Sequence, residues 1–344
     1  MTAGDGPGGS GSERAPWRFL DLGRCEPYVA QTFAESVAVS VAAGEVPNTL
    51  ILAAPATPYL SLGFHQSYEE EIDDAFVRAR NVPVIRRVTG GGTTWLDADQ
   101  LFYQLVYLDD ALPGGSGGPA DLGRFLRGPV RCLVSLGVPA ELRPPSDLVV
   151  AGRKISGNAG GDWEGAHLLV GGFLGRADLD AMAGALRSPH PAFSSLLRRE
   201  MADRISSLER EAVGVPALDR WTAPLLAAFE AEGLFRVRRG SATPAESRRF
   251  ESEVRPRHLD PAWLRQPPPP RRASALVRRV RVAGSRFVVA VREEGSTDLV
   301  VGVIDGGSTE GAWSVAADDP GSTAPPVAID PGDPRRERLG SFGI

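Results

Sequence analysis

Lysine is nearly missing from this sequence. Of 38 lysine and arginine side chains in 344 residues, one is lysine, Lys154, and every other is arginine. A Walker-type phosphate loop places a lysine behind its glycines, so the glycine triplet at 90–92 cannot be one. Cysteine is scarce too. Cys25 and Cys132 are the only two, which excludes a disulfide framework and fits a reducing compartment. No run approaches the ~18 apolar residues that span a bilayer. The first residues, MTAGDGPGGSGSERAPW, hold no apolar core, so no secretory signal is expected there. The net charge is only −5, which sets up no strong field for nucleic acid or an anionic membrane. The four histidines, His65, His167, His190 and His258, lack metal-ligand spacing. These absences leave a soluble cytoplasmic protein that binds neither nucleic acid nor membrane as the expectation.

What is present is a hydrophobic fraction of 42%, enough for a substantial core, in a chain long enough for one large or two unequal domains. Residues 1–15 read as a disordered Gly/Ser lead. Their GxGxxG match, Gly4 to Gly9, has no strand before it and no helix after it, so it carries no nucleotide site. Strands are expected at RFLDLG, 49–54, 59–64, 82–88 and 101–107. A helix is expected over 27–44, because Val29, Phe33, Val37 and Val41 recur every four residues. Further helices are expected over 69–81 and 121–136. DLVVAGRKISG and AHLLVGGFLG then read as strands joined by a loop, NAGGDWEG. Helices follow at 178–187, 196–203, 217–232 and 244–254. QPPPPRR is a linker, and 276–305 reads as three short strands. The pattern is α+β, with mixed and antiparallel sheets flanked by helices and a small C-terminal β piece. The expected division is a lead at 1–15, a catalytic domain at 16–240, an accessory region at 241–310 and a flexible tail at 311–344.

Two stretches carry chemistry. In RRVTGGGTTWLDADQ (86–100) three glycines follow a buried strand. Their backbone entropy cost makes sense where the chain must approach a ligand closely. Arg86 and Arg87 can reach phosphate or carboxylate oxygens in bidentate fashion, and Thr89, Thr93 and Thr94 add hydroxyls. A plain hairpin loop with solvated arginines is the alternative. In SDLVVAGRKISGNAGG (146–161) the lone lysine sits between Asp147 and a glycine-rich run. A flexible ammonium follows a charge that moves between a carboxylate and a phosphate; a planar guanidinium does so less readily.

RRVTGGGTTWLD resembles the RRxSGGGxxxxD stretch of the lipoate–protein ligase A family, and DLVVAGRKISGNA resembles its NDxxVxGRKISGxA stretch. ISSLEREAVG (205–214) resembles the segment that closes its catalytic domain. The resemblance spans roughly 17–265 and implies a fold shared with biotin–protein ligases. It implies an ATP-dependent acyl ligase that activates lipoic, octanoic or a related acid as acyl-AMP and transfers it to a lysine of a lipoyl-domain carrier protein. ATP and Mg2+ are the implied cofactors. Lys154 is the implied catalytic group and Asp147 the implied metal ligand. Arg86, Arg87, Thr89, Gly90, Gly91, Gly92, Thr93, Asp97, Ser156, Gly157 and Asn158 are implied in nucleotide and acyl binding. Trp95 and Trp163 are candidates to wall an acyl tunnel.

The chain also departs from that family. Leu96 and Val170 stand where histidines are expected, and Ser146 where asparagine is. Gly160-Gly161-Asp162-Trp163-Glu164 replaces a basic run. Arg86, Arg143 and Arg153 are the arginines placed to compensate. A cysteine-dependent octanoyltransferase would need its nucleophile at Arg143–Pro145 or at Ala166, and neither cysteine falls there. An amide ligase acting on a small-molecule amine and a non-catalytic paralogue that binds acyl groups remain the alternatives.

Overall fold

The computed structural model describes residues 16–112, 115, 119–211, 214, 218–267, 276–292, 299–305, 314–316 and 327–328. The strands in chain order are β1 (Trp17–Cys25), β2 (Thr49–Pro55), β3 (Tyr59–Leu62), β4 (Val84–Arg86), β5 (Thr94–Leu96), β6 (Gln100–Tyr107), β7 (Glu141–Arg143), β8 (Asp147–Val150), β9 (Arg153–Trp163), β10 (Ala166–Leu174) and β11 (Val237–Arg239). Near the C-terminus come β12 (Leu276–Ala283), β13 (Arg286–Arg292), β14 (Leu299–Asp305), β15 (Ser314–Ala316) and β16 (Val327–Ala328). The helices are α1 (Pro27–Ala42), α2 (Tyr68–Glu71), α3 (Asp74–Ala79), α4 (Pro119–Phe125), α5 (Arg127–Ser135), α6 (Leu179–Gly184), α7 (Pro191–Arg204), α8 (Leu218–Ala231), α9 (Pro244–Arg249), α10 (Arg255–Leu259) and α11 (Pro261–Leu264). Among the described residues, no helix is long and apolar enough to cross a membrane.

Eight strands form one mixed sheet in the order β11-β1-β2-β6-β10-β9-β8-β7. β1 runs parallel to β2 and β11, and the remaining pairs are antiparallel. β4-β3-β5 is a small second sheet, and β12 to β16 form a third in sequence order. This is the expected α+β architecture with a C-terminal β piece.

The alternation of side chains across β6 divides the large sheet into two faces. Leu101, Tyr103 and Leu105 enter one core with Phe125, Leu133, Trp221 and Phe229 of α4, α5 and α8. On the other face, Phe33, Val37 and Val41 of α1 pack against Ile51, Val106 and Leu168. The four-residue stripe thus lies where its spacing put it, and each such buried side chain contributes about 1.5–3 kcal/mol. The rest of this second face is overlaid by the small sheet, α6, α7 and the edge of the third sheet. That sheet packs Val280, Val288 and Val301 onto Phe193, Leu197 and Met201. The segment after residue 240 also clasps the body: Glu246 meets Arg18 at 2.5 Å, both buried, and His258 meets Glu35 at 2.9 Å.

Several elements differ from expectation for local reasons. The helix expected over 69–81 is two short helices, because the Asp73 carboxylate accepts from Phe76 N–H and starts α3 afresh. The one expected over 121–136 breaks into α4 and α5. The helix expected from 196 starts at Pro191, where the His190 ring accepts from Ala192 N–H. The loop expected at NAGGDWEG is mostly strand. Its glycines pair with Leu168 and Leu169 on β10, and the turn is confined to Glu164 and Gly165, both with positive φ. Two pieces of the expected tail, β15 and β16, join the third sheet; the rest of the tail and the 1–15 lead lie outside the described residues.

Candidate active site

Lys154 is aimed by a bulge. Val149 pairs with Lys154 and Leu148 with Ser156, so β9 carries one residue, Ile155, that β8 does not match. Ile155 turns into the core beside Leu148 and Val150. In a regular strand Lys154 and Gly157 would lie on opposite faces. The extra residue puts both on the face of Asp147, which pairs with Gly157. Lys154 then reaches back across Gly157, and its Nζ lies 2.9 Å from Asp147 Oδ1. A Cβ at Gly157 would meet both Cε and Nζ of Lys154 at 2.9 Å, so glycine is the residue that leaves the ammonium its path.

Asp147 is 2% exposed, while the Lys154 side chain keeps 23% of its surface open. Burial raises the carboxyl, but Lys154, the Gly284 N–H and Arg281 outweigh it and hold Asp147 below the usual carboxylate range. Gly284 N–H donates to Asp147 Oδ2 at 2.6 Å, and Arg143 Nη2 stands 3.6 Å from the same oxygen. Both carboxylate oxygens therefore face donors. That donor set does not fit a resident Mg2+, and no cluster of three or more acidic, His or Cys ligands occurs among the described residues. Asp147 holds the lysine and the Gly284 turn.

The other stretch turns inward. Arg87 is buried and donates to Ser61 O, Ser61 Oγ, Gly90 O and Gly92 O at 2.7–3.2 Å. Burial lowers its guanidinium to about 10. It staples the glycine loop, in which Gly91 takes φ +97°. Arg86 is 1% exposed and donates to the carbonyls of Gly63, Phe64, Gln66, Trp263, Leu264 and Gln266. It ties α11 to the 63–66 turn and does not reach the cavity. Thr89 is buried, and its hydroxyl has no hydrogen-bond partner among the described residues. Asp97 accepts from Trp95 Nε1–H and Asp99 N–H at 3.1 Å, closing the turn before β6; burial raises its carboxyl.

A cavity of about 180 Å³ lies between the large sheet, the small sheet and the third sheet. Of the expected residues, Arg87, Gly91, Gly92, Thr93, Asp147, Lys154, Gly157 and Asn158 border it. Arg86, Thr89, Gly90, Asp97 and Ser156 do not. Ser156 sits on the opposite face with Leu148, and the Asn158 side chain bonds to Tyr103 and the Ser146 carbonyl there. Trp95 walls the cavity, whereas Trp163 lies against Trp263 and Arg257 outside it. Leu96 and Val170 make apolar wall where histidines were expected, joined by Phe102, Leu174 and Met201. Of the three compensating arginines, Arg86 is committed to carbonyls, Arg153 faces Glu211 at 3.7 Å and Arg143 donates to Gly152 O. Besides Arg87, the arginine that borders the cavity is Arg281, from β12. Nothing in its local sequence, VRRVRV, marked it; only the fold of the third sheet brings it there. Neither cysteine borders the cavity. Burial pushes the Cys132 thiol up to about 12; burial, then Glu26, pushes Cys25 up to about 11.

Comparison with known proteins shows the family and the fold. The family model described as the lipoyl protein ligase A/B catalytic domain matches residues 26–230. The octanoyltransferase LipM of Kyrpidia tusciae is 28% identical over 271 residues, covering 72% of this chain and 97% of its own. Lipoate–protein ligase 1 of Staphylococcus aureus is 30% identical over 152 residues, 44% of this chain and 45% of its own. Among solved structures, the bipartite lipoate protein ligase of Thermoplasma acidophilum superposes with TM-score 0.63 at 19% identity, over 73% of this chain and 96% of that one. A lipoate-protein ligase A bound with ATP gives 0.59 at 21%, over 73% and 98%. With more than half of its length matched by that family model, the chain belongs to the lipoyl protein ligase A/B catalytic-domain family.

Proposed function

We propose that the protein is an ATP-dependent acyl ligase that activates a medium-length carboxylic acid, lipoic or octanoic in type, and delivers the acyl group to a lysine of a lipoyl-domain carrier. The observation that carries this reading is Lys154: one ammonium, ion-paired yet partly open, at the head of a cavity with apolar walls and no bordering thiol. The acid enters with its chain against Phe102, Leu174 and Met201 and its carboxylate at Lys154. A carboxylate oxygen attacks the α-phosphorus of ATP, the bond to pyrophosphate breaks, and acyl-AMP forms. The carrier amine then attacks the acyl carbon, AMP leaves with the bonding pair, and the amine loses a proton. Negative charge builds on phosphate oxygens in the first step and on the carbonyl oxygen in the second. A preorganised ammonium stabilises both. Asp147 holds Lys154 in place through its ion pair, and the Arg87-stapled glycine loop shapes the cavity with its backbone.

A second reading has its own support, since LipM, an octanoyltransferase, matches nearly its whole length to this chain. In that reading the acyl group arrives already activated. The two separate in one assay with a purified lipoyl domain. Octanoate plus Mg-ATP should acylate it, and octanoyl thioester without ATP should not. Replacing both thiols, Cys25→Ser and Cys132→Ser together, should leave the rate per folded molecule unchanged. Transfer from the thioester alone, lost with the cysteines, would replace the ligase reading.

A further inference from the structure

We propose that Arg281, carried by the third sheet, holds the phosphate of the acyl-adenylate beside Lys154, a role that rests on the adenylate reading above. The hairpin between β12 and β13 is docked on the active-site carboxylate. Gly284 N–H donates to Asp147 Oδ2 at 2.6 Å, and Arg281 Nε donates to Gly284 O at 2.6 Å. A continuous set of contacts thus runs from Lys154 through Asp147 and Gly284 to Arg281. The Nε bond fixes the plane of the guanidinium. Its terminal nitrogens have no hydrogen-bond or ion-pair partner among the described residues, while Arg281 and Val282 border the cavity.

Charge points the same way. Lys154, Arg143 and Arg281 surround one buried carboxylate. Three cations against one anion leave an excess of positive charge at the cavity head, which favours an entering anion. The other arginines are engaged or lie outside the cavity lining: Arg86 and Arg87 donate to backbone carbonyls, Arg153 faces Glu211, and Arg143, which donates to Gly152 O, does not border the cavity. The strand after Asn158 offers Gly160, Gly161 and Asp162, with no cation among them. A guanidinium with two free nitrogens presents the fork that matches phosphate oxygens. The third sheet is therefore part of the active centre: removing its hairpin would remove a substrate-binding group and uncover Asp147.

The test is calorimetric binding to the full-length protein of two probes, octanoate and the non-hydrolysable N-octanoylsulfamoyl adenosine, which mimics octanoyl-AMP. Arg281→Met keeps the stem and removes the charge. It should weaken the adenylate mimic roughly 10- to 100-fold, as expected for loss of hydrogen bonds to a charged group, and leave octanoate affinity nearly unchanged. Arg281→Lys should recover part of the loss. Arg279→Met, which removes a guanidinium stacked 4.6 Å from the Phe287 ring and outside the cavity, should match wild type. Equal affinity of wild type and Arg281→Met for the mimic overturns the role of Arg281 and leaves the ligase reading standing. A wild-type protein that binds octanoate but not the mimic overturns both.

Discussion

Arg86 and Arg87 lie at the end of one buried strand, and Lys154 lies near the start of another. The two arginines direct every described donor bond at the protein itself, six carbonyls for Arg86 and the glycine loop with Ser61 for Arg87. Lys154 makes one ion pair and keeps part of its surface open to the cavity. The difference separates two kinds of motif residue. A buried guanidinium with five fixed donors can organise three peptide segments at once. An ammonium on a mobile stem leaves capacity for a substrate. The RRVTGGG stretch builds the wall, and the GRKISG stretch turns its lysine toward the cavity.

That contrast breaks most sharply at the lysine. Lys154→Ala should lower acyl-AMP formation on the order of 10²–10³-fold, the range for losing one preorganised electrostatic donor, with the folded protein intact. A drop in stability with unchanged turnover would put Lys154 with the wall. Gly157→Ala comes next. Its methyl needs the space of Cε and Nζ, so turnover should fall by about tenfold or more while the circular dichroism spectrum stays native, because a roughly 1 Å misplacement costs up to ~10²-fold. Activity equal to wild type would mean the lysine works from another position.

Arg86→Met tests the opposite side. It strands buried carbonyls and should destabilise by about 3 kcal/mol or more in urea unfolding, with little change in turnover per folded molecule. A large kinetic effect in stable protein would return Arg86 to the active site. The smallest effect is expected outside the cavity lining, at His167. Its ring meets Asp162 and Asp109 at 2.6 Å each. Partial burial lowers its pKa, but the two carboxylates outweigh that and raise it. The pair's stabilisation is thus fully present below the unfolded value of ~6.5 and is lost as pH rises through the folded value. The melting temperature should fall over that window in wild type and stay flatter in His167→Gln.

The sequence was readable where one local pattern decides the structure. The stripe on α1 and the strand composition of 101–107 needed no tertiary knowledge, and the lone lysine stood out by rarity. The β9 bulge was not readable, because Ile155 looks like any strand residue; only its pairing with β8 shows the shift. The glycines at 160 and 161 suggested a loop, but their ladder to β10 holds them in strand. Arg86 looked like a ligand-binding residue because its partners are backbone carbonyls, which leave no mark in the sequence. Arg281 was hidden for the opposite reason: it is one of several arginines in a basic strand, and its place follows from the docking of the third sheet.

The most direct measurement is a quenched single turnover with octanoate and Mg-ATP, read for octanoyl-AMP by mass spectrometry, with Lys154→Arg beside wild type. The account predicts octanoyl-AMP from wild type and none from Lys154→Arg, since a guanidinium keeps the charge and loses the mobility. Octanoyl-AMP at equal yield from both proteins would contradict it.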